Sequence, residues 1–105
     1  MSIRKQYLKD GLKCNVTFRI PGDIAGNARQ ACVVGEFNGW DSTAAPMKKF
    51  KNGSFSLTMS LPVGNVYQFR YILDDDGWIS ETEADGLVYC PFGQCDNSVL
   101  NLLQS

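Results

Sequence analysis

The 105-residue sequence contains no histidine. That absence removes the commonest general base, the serine–histidine and cysteine–histidine nucleophilic pairs, and any zinc site built on imidazole. Long apolar runs are missing as well. No hydrophobic stretch follows the positive charges at Arg4, Lys5 and Lys9. Neither a signal peptide nor a bilayer-spanning segment is therefore expected, and a cytoplasmic location is the default. Charge of one sign is scarce: 10 Lys and Arg stand against 11 Asp and Glu, a formal net charge of −1. That balance gives no electrostatic reason to expect nucleic acid or a membrane surface as a partner. Lys48, Lys49 and Lys51, interrupted by Phe50, read as a solvated hairpin. No segment carries a sustained helical period, and no internal repeat, low-complexity tract or linker divides the chain.

The 4 cysteines include no CxxC pair, which argues against a four-cysteine zinc site. Cys14 and Cys32 fall in alternation with apolar neighbours and are expected as buried thiols. Cys90 and Cys95 flank Pro91-Phe92-Gly93-Gln94. A disulfide, a share in a metal site and free thiols are all open to them, and a reducing compartment favours free thiols. The run Asp74-Asp75-Asp76-Gly77 lacks the alternating ligand spacing of a calcium loop and reads as a hairpin tip. No cofactor or metal is implied.

What is present is material for a β-sheet core. The chain is 44% hydrophobic and 11% aromatic, enough to rule out disorder as the default. Residues 1–12 are polar and expected as a flexible segment; residues 13–103 are expected to form one domain. Cys14, Val16, Phe18 and Ile20 alternate with Asn15, Thr17 and Arg19, as in a half-buried strand. Pro21-Gly22-Asp23 stops it, and 24–27 reads as a loop. Further strands are expected near 29–35 and 47–50. The cleanest alternation sets Phe55, Leu57, Met59 and Leu61 against Ser54, Ser56, Thr58 and Ser60. Tyr67, Phe69, Tyr71 and Leu73 then face inward, with Gln68, Arg70 and Ile72 opposite. Trp78 and Ile79 begin a short return strand, 80–95 reads as irregular, and a last strand covers 98–103. About seven short strands with regular turn signals predict an all-β, immunoglobulin-like antiparallel β-sandwich, with a small barrel as the alternative.

The most informative stretch runs from Cys32 to Asp41. Val33 and Val34 continue a strand, Gly35 marks a bulge or a close backbone approach, and Asn38-Gly39 is the strongest turn signal in the chain. Trp40 follows that turn, either to cap one end of the core or to present its ring to a ligand. Trp78 follows another turn, Arg70 lies on an outward face, and Asn97 starts the last strand. An indole can lie against the C–H face of a pyranose; burying about 60 Å² that way gives roughly 1.5 kcal/mol at ~25 cal/mol/Å². A guanidinium and a side-chain amide supply donors and an acceptor for hydroxyls. Trp40, Arg70, Trp78 and Asn97 are thus candidates for an oligosaccharide platform, with an affinity between about 1 μM and about 1 mM.

Gly35-Glu36-Phe37-Asn38-Gly39-Trp40, Pro46-Met47, Tyr67-Gln68-Phe69-Arg70-Tyr71, Asp76-Gly77-Trp78 and Asp96-Asn97-Ser98-Val99 occur here in the order seen in one family. The chain resembles a family-48 carbohydrate-binding module, the early set β-sandwich at the N-terminus of isoamylases and glycogen-branching enzymes. It is similar also to the glycogen-binding module of the AMP-activated kinase β-subunit, and looks closest to small stand-alone bacterial early set domains. The resemblance spans nearly the whole chain. It implies that Trp40 and Trp78 stack on α-glucan and that Arg70 and Asn97 hydrogen-bond sugar hydroxyls. Arg70 stands where the kinase module has lysine, and the loop from Glu81 to Cys95 is longer and more acidic than in that module. The expected function is non-catalytic binding of glycogen- or starch-type glucan. The alternative is an interaction domain for a glycogen-metabolising enzyme or regulatory protein, without sugar binding of its own. Catalysis is not expected: glycoside hydrolysis needs two opposed carboxylates about 5–9.5 Å apart, whereas Glu81, Glu83 and Asp85 sit on one loop.

Overall fold

A computed structural model describes residues 2–41, 43–74, 77–90 and 95–103. The readings of Asp75 and Asp76 as a hairpin tip, of Pro91 to Gln94 as a loop, and of the Cys90 and Cys95 side chains as free thiols fall outside the described residues. Alternation of apolar and polar side chains produces two antiparallel sheets packed face to face. One holds β1 (Ser2–Tyr7), β2 (Lys13–Ile20), β4 (Lys48–Lys49) and β5 (Phe55–Pro62) in the order β1-β2-β5-β4. The other holds β3 (Ala31–Gly35), β6 (Val66–Leu73), β8 (Gly86–Cys90) and β9 (Cys95–Asn101) in the order β3-β6-β9-β8. β7 (Gly77–Ile79) also pairs with β6.

The inward sets anticipated for β2, β5 and β6 supply the core between the sheets. Val16, Phe18 and Ile20 are buried with Phe55 and Leu61 from one sheet, and Val33, Phe69, Tyr71 and Leu100 from the other. Phe18 meets Phe69 edge to face at 5.2 Å between ring centres, and Phe69 meets Tyr71 the same way at 5.7 Å. Such T-shaped pairs add about 0.5–1.5 kcal/mol each beyond burial. Cys14 and Cys32 are both buried, as their alternation with apolar neighbours implied.

The described strands differ from the sequence pattern in several places. Within residues 1–12, expected as a flexible segment, Ser2 to Tyr7 pair with β2 from Ser2↔Arg19 to Tyr7↔Cys14. A polar sequence hides this strand because an edge strand is held by its backbone ladder, with only Ile3 packing on the core. Lys5 adds a 2.7 Å ion pair to Asp85 and a 2.9 Å bond to the carbonyl of Asn101. Within the stretch expected to be irregular, Gly86 to Cys90 form β8, whose Leu87-Val88-Tyr89 run has no alternation because neither of its faces is covered. A single helical turn, α1 (Gly22–Ala25), replaces the expected loop after Pro21, whose carbonyl accepts the N–H groups of Ile24 and Ala25. Among the described residues no helix is long and apolar enough to cross a membrane.

Candidate functional site

The loop after β3 is built from its own polar atoms. Gly35 has extended backbone, and its lack of a side chain is what lets β3 approach β6: a Cβ there would lie 2.7 Å from the Gln68 carbonyl and 2.8 Å from Phe69 Cβ. The chain then makes one 3-10 turn, Glu36–Asn38. Asn38 ties this turn to the strand, its Oδ1 accepting from Gly35 N at 3.1 Å and its Nδ2 donating to Val33 O at 3.0 Å. Glu36 Oε1 accepts from Gln68 N at 2.7 Å, binding the turn to β6. Asn38-Gly39 is therefore not a two-residue hairpin, because the Asn38 side chain spends its bonds holding a wider loop.

Gly39 (φ 65°) and Trp40 (φ 60°) both adopt the left-handed conformation. That conformation suits glycine; for a bulky residue it is an outlier that costs on the order of 1–3 kcal/mol. Trp40 N donates to Gly35 O at 2.9 Å, which fixes the backbone, and the side chain remains 37% exposed. The next residue, Asp41, accepts from the Thr43 hydroxyl at 2.7 Å and from Thr43 N at 2.8 Å. These bonds, the hydroxyl first, hold its carboxyl below the usual 3.8. The chain then folds back so that Ala45 O accepts from Val33 N and Met47 N donates to Ala31 O, laying this segment along the open edge of β3.

The second group of residues lies on the outer face of the β3-β6-β9-β8 sheet, where cross-strand partners share a face. Register sets Cys32, Ile72 and Trp78 in one row and Val34 with Arg70 in the next. Cys32, Val34 and Ile72 form a small buried cluster under this face. Trp78 is 44% exposed, and the guanidinium carbon of Arg70 lies 5.1 Å from its ring centre. This stack braces the indole against the sheet. Arg70 Nε is buried and has no hydrogen-bond partner among the described residues. A donor left so costs about 1–3 kcal/mol, a penalty that functional sites commonly carry.

The pairing Phe69↔Ser98 brings Asn97 alongside Arg70. Asn97 is only 8% exposed, and its amide nitrogen donates to Gln68 Oε1 at 3.1 Å. The structure thus joins Arg70, Trp78 and Asn97 on one face and adds Gln68, which the sequence pattern marked only as outward-facing on β6. Trp40 lies on the loop that follows β3, the strand next to β6 in the same sheet. A cavity of about 290 Å³ lies between that loop and the same sheet, lined by residues that include Cys32, Thr43, Pro46, Ile72 and Asp74. The Asp74 carboxylate accepts from Arg29 N at 2.9 Å and from Gln30 N at 3.2 Å, fastening the start of β3.

The three acids between β7 and β9 do not form an opposed pair. Glu81 is fully buried: its Oε1 accepts from the Tyr71 hydroxyl at 2.9 Å and its Oε2 from Glu83 N at 2.9 Å. Its backbone N–H donates to Ser98 Oγ at 2.7 Å. Burial first, then the Glu81 charge, push the Tyr71 hydroxyl well above its usual 10.0. Asp85 accepts from Lys5 and from Asn101 N at 2.7 Å. Among the described residues no group of three or more acids and cysteines could hold a metal ion.

Comparison with known proteins adds two findings. The model of a family described as the glycogen recognition site of AMP-activated protein kinase matches residues 23–88, more than half of the chain. The match includes Trp40, Arg70 and Trp78 and stops short of Asn97. A 1,4-alpha-glucan branching enzyme GlgB from Mycolicibacterium paratuberculosis (strain ATCC BAA-968 / K-10) is 34% identical over 82 residues, covering 76% of this chain and 10% of that enzyme. The chain therefore spans about a tenth of the length of this curated relative.

Proposed function

Because this chain belongs to the family of the glycogen recognition site of AMP-activated protein kinase, we propose that it binds α-glucan of the glycogen or starch type and performs no chemistry on it. The family is a recognition module and not a catalytic one. The observation that carries the reading is the Arg70–Trp78 stack on the outer face of the sheet, with a second partly exposed indole, Trp40, on the loop after β3. One face of the Trp78 ring meets the guanidinium, so the opposite face is the one offered to a sugar.

In this reading Trp40 and Trp78 carry the apolar contact and Arg70 supplies charged donors to hydroxyls. Asn97 is too enclosed to be a main contact; it holds Gln68, whose amide faces the same side. The outlying backbone of Trp40 supports the same view, since residues held in strained conformations cluster at binding sites. Isothermal titration with maltoheptaose, together with co-sedimentation on glycogen, tests the proposal. A dissociation constant between about 1 μM and about 1 mM is expected. Absence of binding to both by the intact protein would overturn it.

A second reading is favoured by the branching-enzyme match, in which the aligned stretch is a small part of a much longer protein. In that reading the domain packs on a glycogen-metabolising enzyme or a regulatory protein. Recovery of one such protein from extract, with no affinity for any glucan, would replace the first reading by the second.

A further inference from the structure

Among the described residues, β1, β4, β3 and β8 end the two strand orders, and the first three of these are charged or covered. β1 carries Arg4 and Lys5, and β4 consists of Lys48 and Lys49; charges of this kind discourage pairing with another strand. The edge of β3 is covered by the segment from Ala45 to Met47, through the Val33–Ala45 and Ala31–Met47 backbone bonds. The fourth edge, β8, has no partner strand on its outer side among the described residues. Gly86–Cys90 contains no charge and no proline. Leu87, Val88 and Tyr89 are 57%, 42% and 63% exposed. Among the described residues, no charge or proline at this edge guards against strand addition.

We propose that β8 pairs antiparallel with β8 of a second copy of this chain, about a two-fold axis through Val88. The sequence of the strand favours itself as partner. An axis perpendicular to the sheet must bring residues of the same face together, and centring on Val88 does so, opposing Leu87 to Tyr89 of the second copy. An uncharged strand meets no like charge in its own copy. Leu87 and Tyr89 then cover one another on the side of the core, and the two Val88 side chains meet on the outer face.

The pairing has a consequence for the site, which rests on the α-glucan reading. The axis keeps both outer faces on one side, so the two Arg70–Trp78 stacks point the same way. Arg70 lies on β6, two strands in from β8. Five inter-strand steps of ~4.8 Å therefore separate the two Arg70 residues, about 24 Å. The side chains covered amount to on the order of 300 Å² per copy, below the ~800 Å² per partner of a stable interface. The pair is thus weak in solution and strengthened on a polymer that engages both sites at once.

Sedimentation equilibrium of the whole chain, from about 10 μM to about 1 mM, reads the association directly. The mass is expected to rise from 11.6 kDa towards twice that value. Leu87→Lys with Tyr89→Lys sets ammonium groups opposite each other in both pairs and should keep the chain monomeric throughout. Both side chains are mostly exposed, and circular dichroism verifies that the variant folds. Its affinity for maltoheptaose should match the parent, whereas its affinity for glycogen should fall at least tenfold. A parent chain that stays monomeric to about 1 mM, or a double variant that associates equally well, overturns the pairing. If the chain dimerises but binds neither glucan, the pairing stands and the α-glucan reading falls. If it binds maltoheptaose as a monomer at every concentration, the reverse holds.

Discussion

Arg70 and Trp78 sit on adjacent strands of one sheet, with the guanidinium carbon 5.1 Å from the indole centre and the indole still 44% exposed. On the α-glucan reading, the ring face away from the guanidinium is the one a sugar would meet. Trp78→Ala removes that surface and should lower α-glucan affinity about tenfold or more, since lost stacking of roughly 1.5 kcal/mol corresponds to that factor. Arg70→Lys keeps the charge but loses the planar stack, so a loss of several-fold is expected. Titration calorimetry measures both, with thermal unfolding to verify that the fold is intact.

Trp40 separates a binding role from a packing role. Its left-handed backbone is relieved by glycine, which offsets the packing lost with a side chain already 37% exposed. Trp40→Gly is expected to change stability by no more than about 1 kcal/mol while weakening glucan binding by a clear multiple. A large drop in the unfolding midpoint would mark Trp40 as a structural cap.

Gly35→Ala should be costly for a different reason. The added methyl meets the Gln68 carbonyl at 2.7 Å and Phe69 Cβ at 2.8 Å, so β3 must move away from β6. Overpacking of this kind costs about 1–3 kcal/mol. Urea unfolding should show it, and glucan affinity should fall with it because Glu36 no longer reaches Gln68 N.

The Tyr71–Glu81 bond belongs to the core. Tyr71→Phe leaves the buried carboxylate of Glu81 without one donor, at about 1–3 kcal/mol, with glucan affinity unchanged. The pH dependence has a defined sign. The folded state holds the Tyr71 proton more tightly than the unfolded chain, whose value is near 10.0. The stabilisation is therefore complete below pH 10 and is lost as pH rises above it. Alkaline unfolding should be less steep in Tyr71→Phe than in the parent.

Asp41 gives the opposite sign at the other end of the scale. Its folded-state value is lowered from 3.8 by the Thr43 bonds, so their support of the Trp40 loop is present above that pH and lost as pH falls through the lowered value. Trp40 fluorescence in a Trp78→Phe background should change over that acid range, and Asp41→Asn should flatten the change.

Much of this was legible in the chain because strand periodicity is a local signal. Phe55 to Leu61 and Tyr67 to Leu73 declare their buried faces by alternation alone, and Gly35 declared a close approach. β1 was not legible, since an edge strand held by backbone bonds needs no apolar pattern. β8 was obscured for the opposite reason: Leu87, Val88 and Tyr89 are apolar on both faces and alternate with nothing. Asn97 was assigned by resemblance to a sugar contact, but its enclosure and its bond to Gln68 depend on the register of β6 against β9, which no local pattern encodes. The buried role of Glu81 was hidden likewise, because its partners Tyr71 and Ser98 come from distant strands.

The two tryptophans provide the most direct test of the account. They are the only 2 indoles in the chain, so a nitrogen-15 correlation spectrum contains one Nε1–H signal for Trp40 and one for Trp78. Titration with maltoheptaose is predicted to shift both signals along one saturable curve, with the Trp40 response in Trp78→Ala moving to about tenfold higher concentration or more. Two indole signals that stay in place through millimolar maltoheptaose would contradict the claim that these rings form an α-glucan site.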